Sequence, residues 1–498
     1  MVPTTPPPTL HVASGDLRAQ EVDVLVAPAF KGEIEGPGTG AVLGALGLDG
    51  FPVSHAFRGD VGQTLRLAAP DLPARSVLLV GLGRMVDADA AALRDAAATA
   101  VRAVPDATSL ATTLAQIHPT AASVHAVAEG LLLGAHADQR WRTQGDERAP
   151  ALTRATVLVP SSRSAGAREA LARAAITAGA TRTARELVTT PPADKTPAAL
   201  AATLGELCAD LDVEVWGPDE LAASGCHATL AVGGGSEHGP RLLRLRYAPR
   251  GSTGRVALVG KGVTFDSGGL SLKDRTGMQA MKSDMAGAAT VAAACAALGE
   301  LGVRVTVDAW LPLVENLPGA RSYRPGDVVS HPDGTTTEVV DTDAEGRLIL
   351  ADALALAAAT EPDAIVDVAT LTGSAAHAVG AYAGALLCDD EGLLGALREA
   401  GRDSGERLWP LPLWPELDRF LRSDVADHRQ VGDSPAGDPG SDAILAGLYL
   451  RRFVGEVPWL HCDLPAAWLG SGMGWGHLPE GATGFGVRTL LSWLGPDR

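Results

Sequence analysis

Residues 255–287, RVALVGKGVTFDSGGLSLKDRTGMQAMKSDMAG, decide the fold. The opening RVALVG is an apolar run of strand length, rich in β-branched residues, and reads as a buried strand. A Gly-rich loop follows, and an Ala-rich helical pattern covers 284–300. Strand, loop and helix in this order make half of a parallel βαβ unit. The alternation continues downstream with strands at 303–310 and 336–341, a helix at 348–360, a strand at 364–369, and helices at 441–454 and 483–494. Upstream, 20–30, 75–83 and 154–159 read as strands, and 87–103 and 121–134 as helices. The expectation is an α/β protein whose mixed, largely parallel sheets are flanked by helices.

A chain of 498 residues exceeds one ordinary domain. The long helical pattern 165–188 ends at the Pro-rich turn TTPPADKTP, which suggests domains over 1–163 and 191–498 joined by a helical connector over 164–190. The net charge of −18 disfavours nucleic acid and anionic lipid as partners. The sequence shows neither a membrane-spanning apolar run nor a basic start leading into an apolar leader, so a cytoplasmic protein is expected. Five scattered cysteines without a CxxC pair read as reduced, mostly buried thiols.

The composition carries one useful bias. Of 41 basic residues only five are lysine, yet three of those, Lys261, Lys273 and Lys282, fall within one short segment. Arginine is always charged, whereas lysine can offer a lone pair in a suitable site. Lysine retention there points to lysine-specific chemistry. Asparagine occurs once, at Asn316.

Two clusters lie beyond strand C-termini, where α/β sheets bind ligands. The first holds Lys261, Asp266, Lys273 and Asp284. The second, DTDAEGRL at 341–348, holds Asp343, Glu345 and Arg347. Two carboxylates would suffice for a glycosidase. Four, with lysines and no motif histidine, suit divalent metals in a shared site. The plainer alternative is that each aspartate caps a helix or turn, which is strongest for Asp284. VGKG lacks the glycine and hydroxyl positions of a phosphate-binding loop, GGGSEHG at 233–239 lacks GxGxxG spacing and reads as a tight turn, and no HExxH is present.

At this point the chain resembles the leucyl aminopeptidase family of two-metal exopeptidases. GKGVTFDSGGLSLK and DTDAEGRL look like its two signatures, with ELVTTPPADKTP, KSDMAGAA, VDVATLTGSA and GATGFGVR as supporting blocks over roughly 180–498. SGDLRAQEVDVLVAPA at 14–29 looks like the start of a macro-type domain, with APAF where an Asn-rich ADP-ribose loop would stand. The resemblance implies a macro-like N-terminal domain, a catalytic C-terminal domain, and release of an N-terminal residue, Leu or another apolar one, from peptides by a metal-bridging hydroxide. It implies two divalent ions, Mn²⁺ or Zn²⁺. Asp266 and Glu345 would bridge them, Asp343 would complete one site, and Lys261 and Asp284 the other. Lys273 would polarise the scissile carbonyl, and Arg347 would hold a bicarbonate-like anion as general base. Thr370, Leu371, Gly373 and Met281 would line the substrate. The family forms homohexamers. Asp341 and Thr189 stand where asparagine is usual, and PAAWLGSGMGWG at 465–476 is atypical. Two other readings keep the fold: a non-catalytic regulatory or DNA-binding scaffold, and a narrow-specificity dipeptidase.

Overall fold

The structure is a computed structural model that describes residues 6–52, 56–146, 149–432 and 442–495. Residues 1–5, on which the leader-peptide reading partly rests, and position 441 of the predicted helix 441–454 lie outside the described residues. The chain divides into two compact units. One comprises 1–182 with 470–480, and the other 183–469 with 481–498.

The first unit is built on a seven-stranded sheet. Strand Val24–Phe30 lies centrally, parallel to Ser76–Gly81 on one side and Ser109–Thr112 on the other. Its side chains alternate between faces, as strand geometry requires. Val24 and Val26 pack with Leu93, Ala97, Val127 and Leu131, whereas Leu25 and Ala27 pack with Val42, Leu43 and Leu79. Helices Ala90–Ala103 and Ala121–Gly134 approach closely because two positions lack a Cβ. A Cβ at Gly130 would sit 2.2 Å from Arg94 O, and one at Gly134 2.7 Å from Ala98 Cα. Between them Arg94 and Glu129 form a buried ion pair at 2.7 Å. Segment 470–480 joins this unit through His477, whose Nδ1 lies 2.6 Å from Asp95 Oδ1.

The second unit carries a nine-stranded sheet in which Ala364–Ala369, Arg255–Gly260 and Thr306–Asn316 are parallel neighbours. Trp459–Asp463 adds a further parallel neighbour to Ala364–Ala369. Antiparallel strands Arg241–Tyr247 and Asp212–Trp216 extend one edge, so the sheet is mixed. Strand Thr306–Asn316 is buried along its whole length, as a central strand covered on both faces must be. Helix Ala286–Ala297 is buried almost throughout, as is Glu345–Ala358.

Some boundaries differ from expectation. The predicted strand 336–341 stops at Glu338, because Asp341 and Asp343 form a turn instead of continuing the ladder. Helix Glu345–Ala358 therefore starts three residues early. The strand read at 303–310 runs from Thr306 to Asn316, and this extension carries it into the site.

Candidate metal centre

Lys261 follows directly on the central strand Arg255–Gly260. Its amide donates to Val368 O at 3.0 Å and its carbonyl accepts from Ala288 N at 2.8 Å, which fixes the backbone between the neighbouring strand and helix. The side chain then runs inward beneath Gly346. A Cβ at that glycine would lie 2.5 Å from Lys261 Cε, so no larger residue leaves the lysine its path. Lys261 Nζ ends 2.8 Å from Asp284 Oδ2 and 2.9 Å from Glu345 Oε1, and it donates to Thr370 O at 3.0 Å.

Asp266 closes strand Gly262–Asp266. Its Oδ1 accepts from Gly268 N and from Asn316 Nδ2, and its Oδ2 lies 2.9 Å from Lys273 Nζ. Lys273 also reaches Asp343 Oδ1 at 2.5 Å. The loop between them turns through Gly268 at φ 86°, where a side chain would meet Ser271 O and Asp343 Oδ1. Asp266, Asp343 and Glu345 each offer an oxygen, and these oxygens lie within 4.8 Å of one another.

Asp284 is not the N-cap of the helix that follows it. It follows the short 3-10 turn Met281–Ser283, and helix Ala286–Ala297 begins after Met285 without a side-chain cap. Its Oδ1 accepts from Thr370 Oγ1 at 2.8 Å, and its amide donates to Met281 O at 3.2 Å. The carboxylate is thus turned from its own helix toward Lys261.

Four carboxylates against two ammonium groups leave the cluster with surplus negative charge. Burial pushes Glu345 up to about 8, with Asp266 adding and Lys261 opposing. Burial and the Asp266 charge likewise raise Asp284 to about 6 against the pull of Lys261. Asp343 is raised by burial, against Lys273. Burial opposes the charge on Lys261, but Asp284, Glu345 and Asp266 outweigh it and raise the ammonium above its ordinary value. Among the described residues Glu345 Oε2 is a buried acceptor without a hydrogen-bond partner, while Asp284 Oδ2 and Asp343 Oδ1 are met only by the ammonium groups of Lys261 and Lys273, at 2.8 and 2.5 Å. Buried carboxylate oxygens without donors are costly unless a cation completes them. An oxygen-rich donor set of this kind fits hard or borderline divalent ions.

Leu371 N donates to Asp463 Oδ1 at 2.8 Å, while Gly373 opens the short helix Gly373–Val379 and is exposed. Met281 is half-buried. Arg347 is buried on helix Glu345–Ala358, and its guanidinium is bonded to Gln430 O and Asp442 Oδ1. Asp341 Oδ1 accepts from Asp343 N at 2.9 Å, a bond that asparagine could also make, so the departure adds charge and keeps the geometry.

Three positioning residues escape the sequence reading. Asp463 accepts from Leu371 N, Thr372 N and Thr372 Oγ1, and so holds the loop that carries Thr370. Gln430 donates to Asp341 O and accepts from Val340 N, pinning the Asp343 turn. Asn316 bonds Asp266 and Thr342 O. Asn316 had a signal, since it is the one asparagine kept by a chain that avoids the residue. Lys282, one of the retained lysines, is structural: it donates to Thr189 O and lies over the Trp468 ring.

Comparison with known proteins bears on this geometry. Residues 182–491 match the catalytic domain of the cytosol aminopeptidase family, and 52–145 match its N-terminal domain. A probable cytosol aminopeptidase of Geobacter sp. (strain M21) is 41% identical over 454 residues, 89% of this chain and 90% of the relative. One from Streptomyces coelicolor is 39% identical over 504 residues, 96% of each. Among solved structures, the bottromycin maturation enzyme BotP, also solved in complex with Mn, superposes with a TM-score of 0.83 at 40% identity over 95% of this chain. The BotP match spans 98% of that enzyme's chain. A tomato leucine aminopeptidase mutant superposes at 0.86, with 29% identity, over 98% of this chain and 96% of its own.

Proposed function

Since the chain belongs to the cytosol aminopeptidase family, we propose that it is a metal-dependent aminopeptidase whose site is the Lys261–Asp266–Lys273–Asp284–Asp343–Glu345 cluster. The observation that carries the assignment is the gathering of four carboxylates around two lysines at one end of the second unit's sheet, with the oxygens of Asp266, Asp343 and Glu345 within 4.8 Å of one another and Glu345 Oε2 buried without a donor. Asp266 and Glu345 would be shared between two divalent ions, with Asp343 on one side and Asp284 and Lys261 on the other. Such ions, when bound, supply Lewis-acid activation of water and carbonyl at neutral pH. The Mn complex of BotP and the oxygen-rich donors favour manganese, with zinc as the second choice.

The chain's own groups do the rest. The substrate's α-amine would bind as the neutral amine at one of the two ions, which selects peptide N-termini over internal bonds. Lys261 would serve as the neutral amine, a state that arginine could not adopt. Lys273 stays charged and donates to the oxygen on which negative charge develops. Thr370, Leu371, Met281 and Gly373 would line the pocket for the first residue, and the two apolar side chains support a preference for Leu or a similar residue. Arg347 would orient the anion that takes up the proton. The reading includes cytoplasmic location and a homohexamer, which sedimentation of the purified protein would test. Among the described residues no helix is long and apolar enough to cross a membrane.

Replacing Glu345 with Gln tests the assignment. Hydrolysis of leucine amide should be lost while circular dichroism stays unchanged. Undiminished hydrolysis would remove Glu345 from the machinery and the cluster with it.

A further inference from the structure

Arg347 sits two residues along the helix from Glu345, and its side chain is 3% exposed. Nη1 donates to Gln430 O at 2.8 Å, Nη2 donates to Asp442 Oδ1 at 2.9 Å, and Nε has no partner. A guanidinium buried this deeply needs a counter-charge, since an unpaired buried cation is strongly unfavourable. Either a small anion from solution or a carboxylate of the chain can supply it. Here the chain supplies it.

Asp442 is held in place for this role. It opens helix Asp442–Arg451, whose next residues Ala443, Ile444, Leu445 and Ala446 are all buried. Ala443 N donates to Ser374 Oγ at 2.8 Å, which ties the first turn to helix Gly373–Val379. The Asp442 side chain itself is 43% exposed while the Arg347 side chain it pairs with is 3% exposed, so the carboxylate is the solvent-facing member of the pair. A free anion reaching Nη2 must displace a carboxylate already tethered there, whose effective concentration is on the order of millimolar or above.

We infer that Asp442 is the built-in anion of Arg347, a carboxylate that fills the place the reading above gives to a free bicarbonate-like anion and makes turnover independent of added bicarbonate. The inference rests on the aminopeptidase reading above. The half-exposed carboxylate also implies its own rescue: with the side chain removed, formate or bicarbonate can enter from solvent and reach Arg347.

The test uses the full chain, wild type and the Asp442→Ala and Asp442→Asn variants, with two readouts. The first is turnover of leucine amide by manganese-loaded protein in bicarbonate-free buffer, then with added bicarbonate or formate. Wild type should not respond to either anion. Both variants should lose roughly tenfold in kcat, the size expected when one charged hydrogen bond is removed, and Asp442→Ala, which opens the space, should regain most of it with formate or bicarbonate while Asp442→Asn should not. The second readout is saturation-transfer NMR of formate on metal-free protein, which should give a signal with Asp442→Ala and none with wild type. A wild-type enzyme stimulated by bicarbonate, or an Asp442→Ala variant whose loss no anion restores and which gives no formate signal, overturns the inference. If wild type shows no turnover with any metal, the aminopeptidase reading fails, and the formate signal still decides whether Asp442 closes the Arg347 site.

Discussion

Asn316 Nδ2 donates to Asp266 Oδ1 at 2.8 Å, so the chain's one asparagine orients a carboxylate proposed to bridge two metals. The same amide group donates to Thr342 O at 2.9 Å and thereby links the two signature segments. Groups that orient ligands tune metal affinity, and their loss costs roughly 10- to 100-fold. Asn316→Asp should weaken manganese binding by about that factor, measured by calorimetry, because it sets a like charge against Asp266. Unchanged affinity would leave Asn316 a purely structural residue.

Gly346 concerns the path of Lys261. A Cβ at this position would lie 2.5 Å from Lys261 Cε and 2.6 Å from Nζ. Gly346→Ala should displace the lysine from Asp284 and Glu345, and metal content after dialysis should fall sharply. The stability cost should stay at about 1–3 kcal/mol, as for other overpacked sites. A variant that keeps full metal content would show that Lys261 is no ligand.

Lys273 separates metal binding from chemistry. It pairs with Asp266 and Asp343, so Lys273→Met removes a cation from the cluster and leaves the carboxylates at least as attractive to divalent ions. Metal affinity should hold or rise while kcat falls by about 10²–10³, the usual cost of losing a donor to a developing oxyanion. Parallel loss of metal would contradict this division.

His428 gives the second unit an acid sensitivity away from the site. It is buried against Tyr449 and Phe453, its Nε2 has no partner, and burial lowers it from 6.5 to about 4, with Arg452 adding to the effect. The folded state therefore binds fewer protons than the unfolded one below pH 6.5. Its contribution is complete above that pH and is lost as pH falls toward 4. The loss should approach about 3 kcal/mol at most. Urea midpoints at pH 7 and pH 5 should differ more for wild type than for His428→Phe. Equal pH dependence would mean that other groups govern acid stability.

The legible parts of this molecule are those that local pattern controls. Strands such as Arg255–Gly260 and Ala364–Ala369 are short apolar runs between breakers, and their bounds follow from composition. Lys261 and Lys273 stood out because an arginine-biased chain kept them, and the cluster brings both together with the predicted carboxylates. What composition could not show depends on long-range contacts. Asp284 reads locally as a helix cap and only the tertiary fold turns it toward Lys261. Asp463, Gln430 and Asp442 act from 83 or more residues away, through bonds that no spacing rule encodes. The end of the 336–338 strand was equally hidden, since Asp341 and Asp343 break it through a side-chain turn.

The most direct measurement is leucine release from L-leucine amide by the purified protein, as isolated, after exhaustive chelation, and after Mn²⁺ is returned. The account predicts turnover that chelation abolishes and manganese restores, with no change in secondary structure between the states. Turnover undiminished by chelation, or a folded protein that stays inactive with either Mn²⁺ or Zn²⁺, would contradict it.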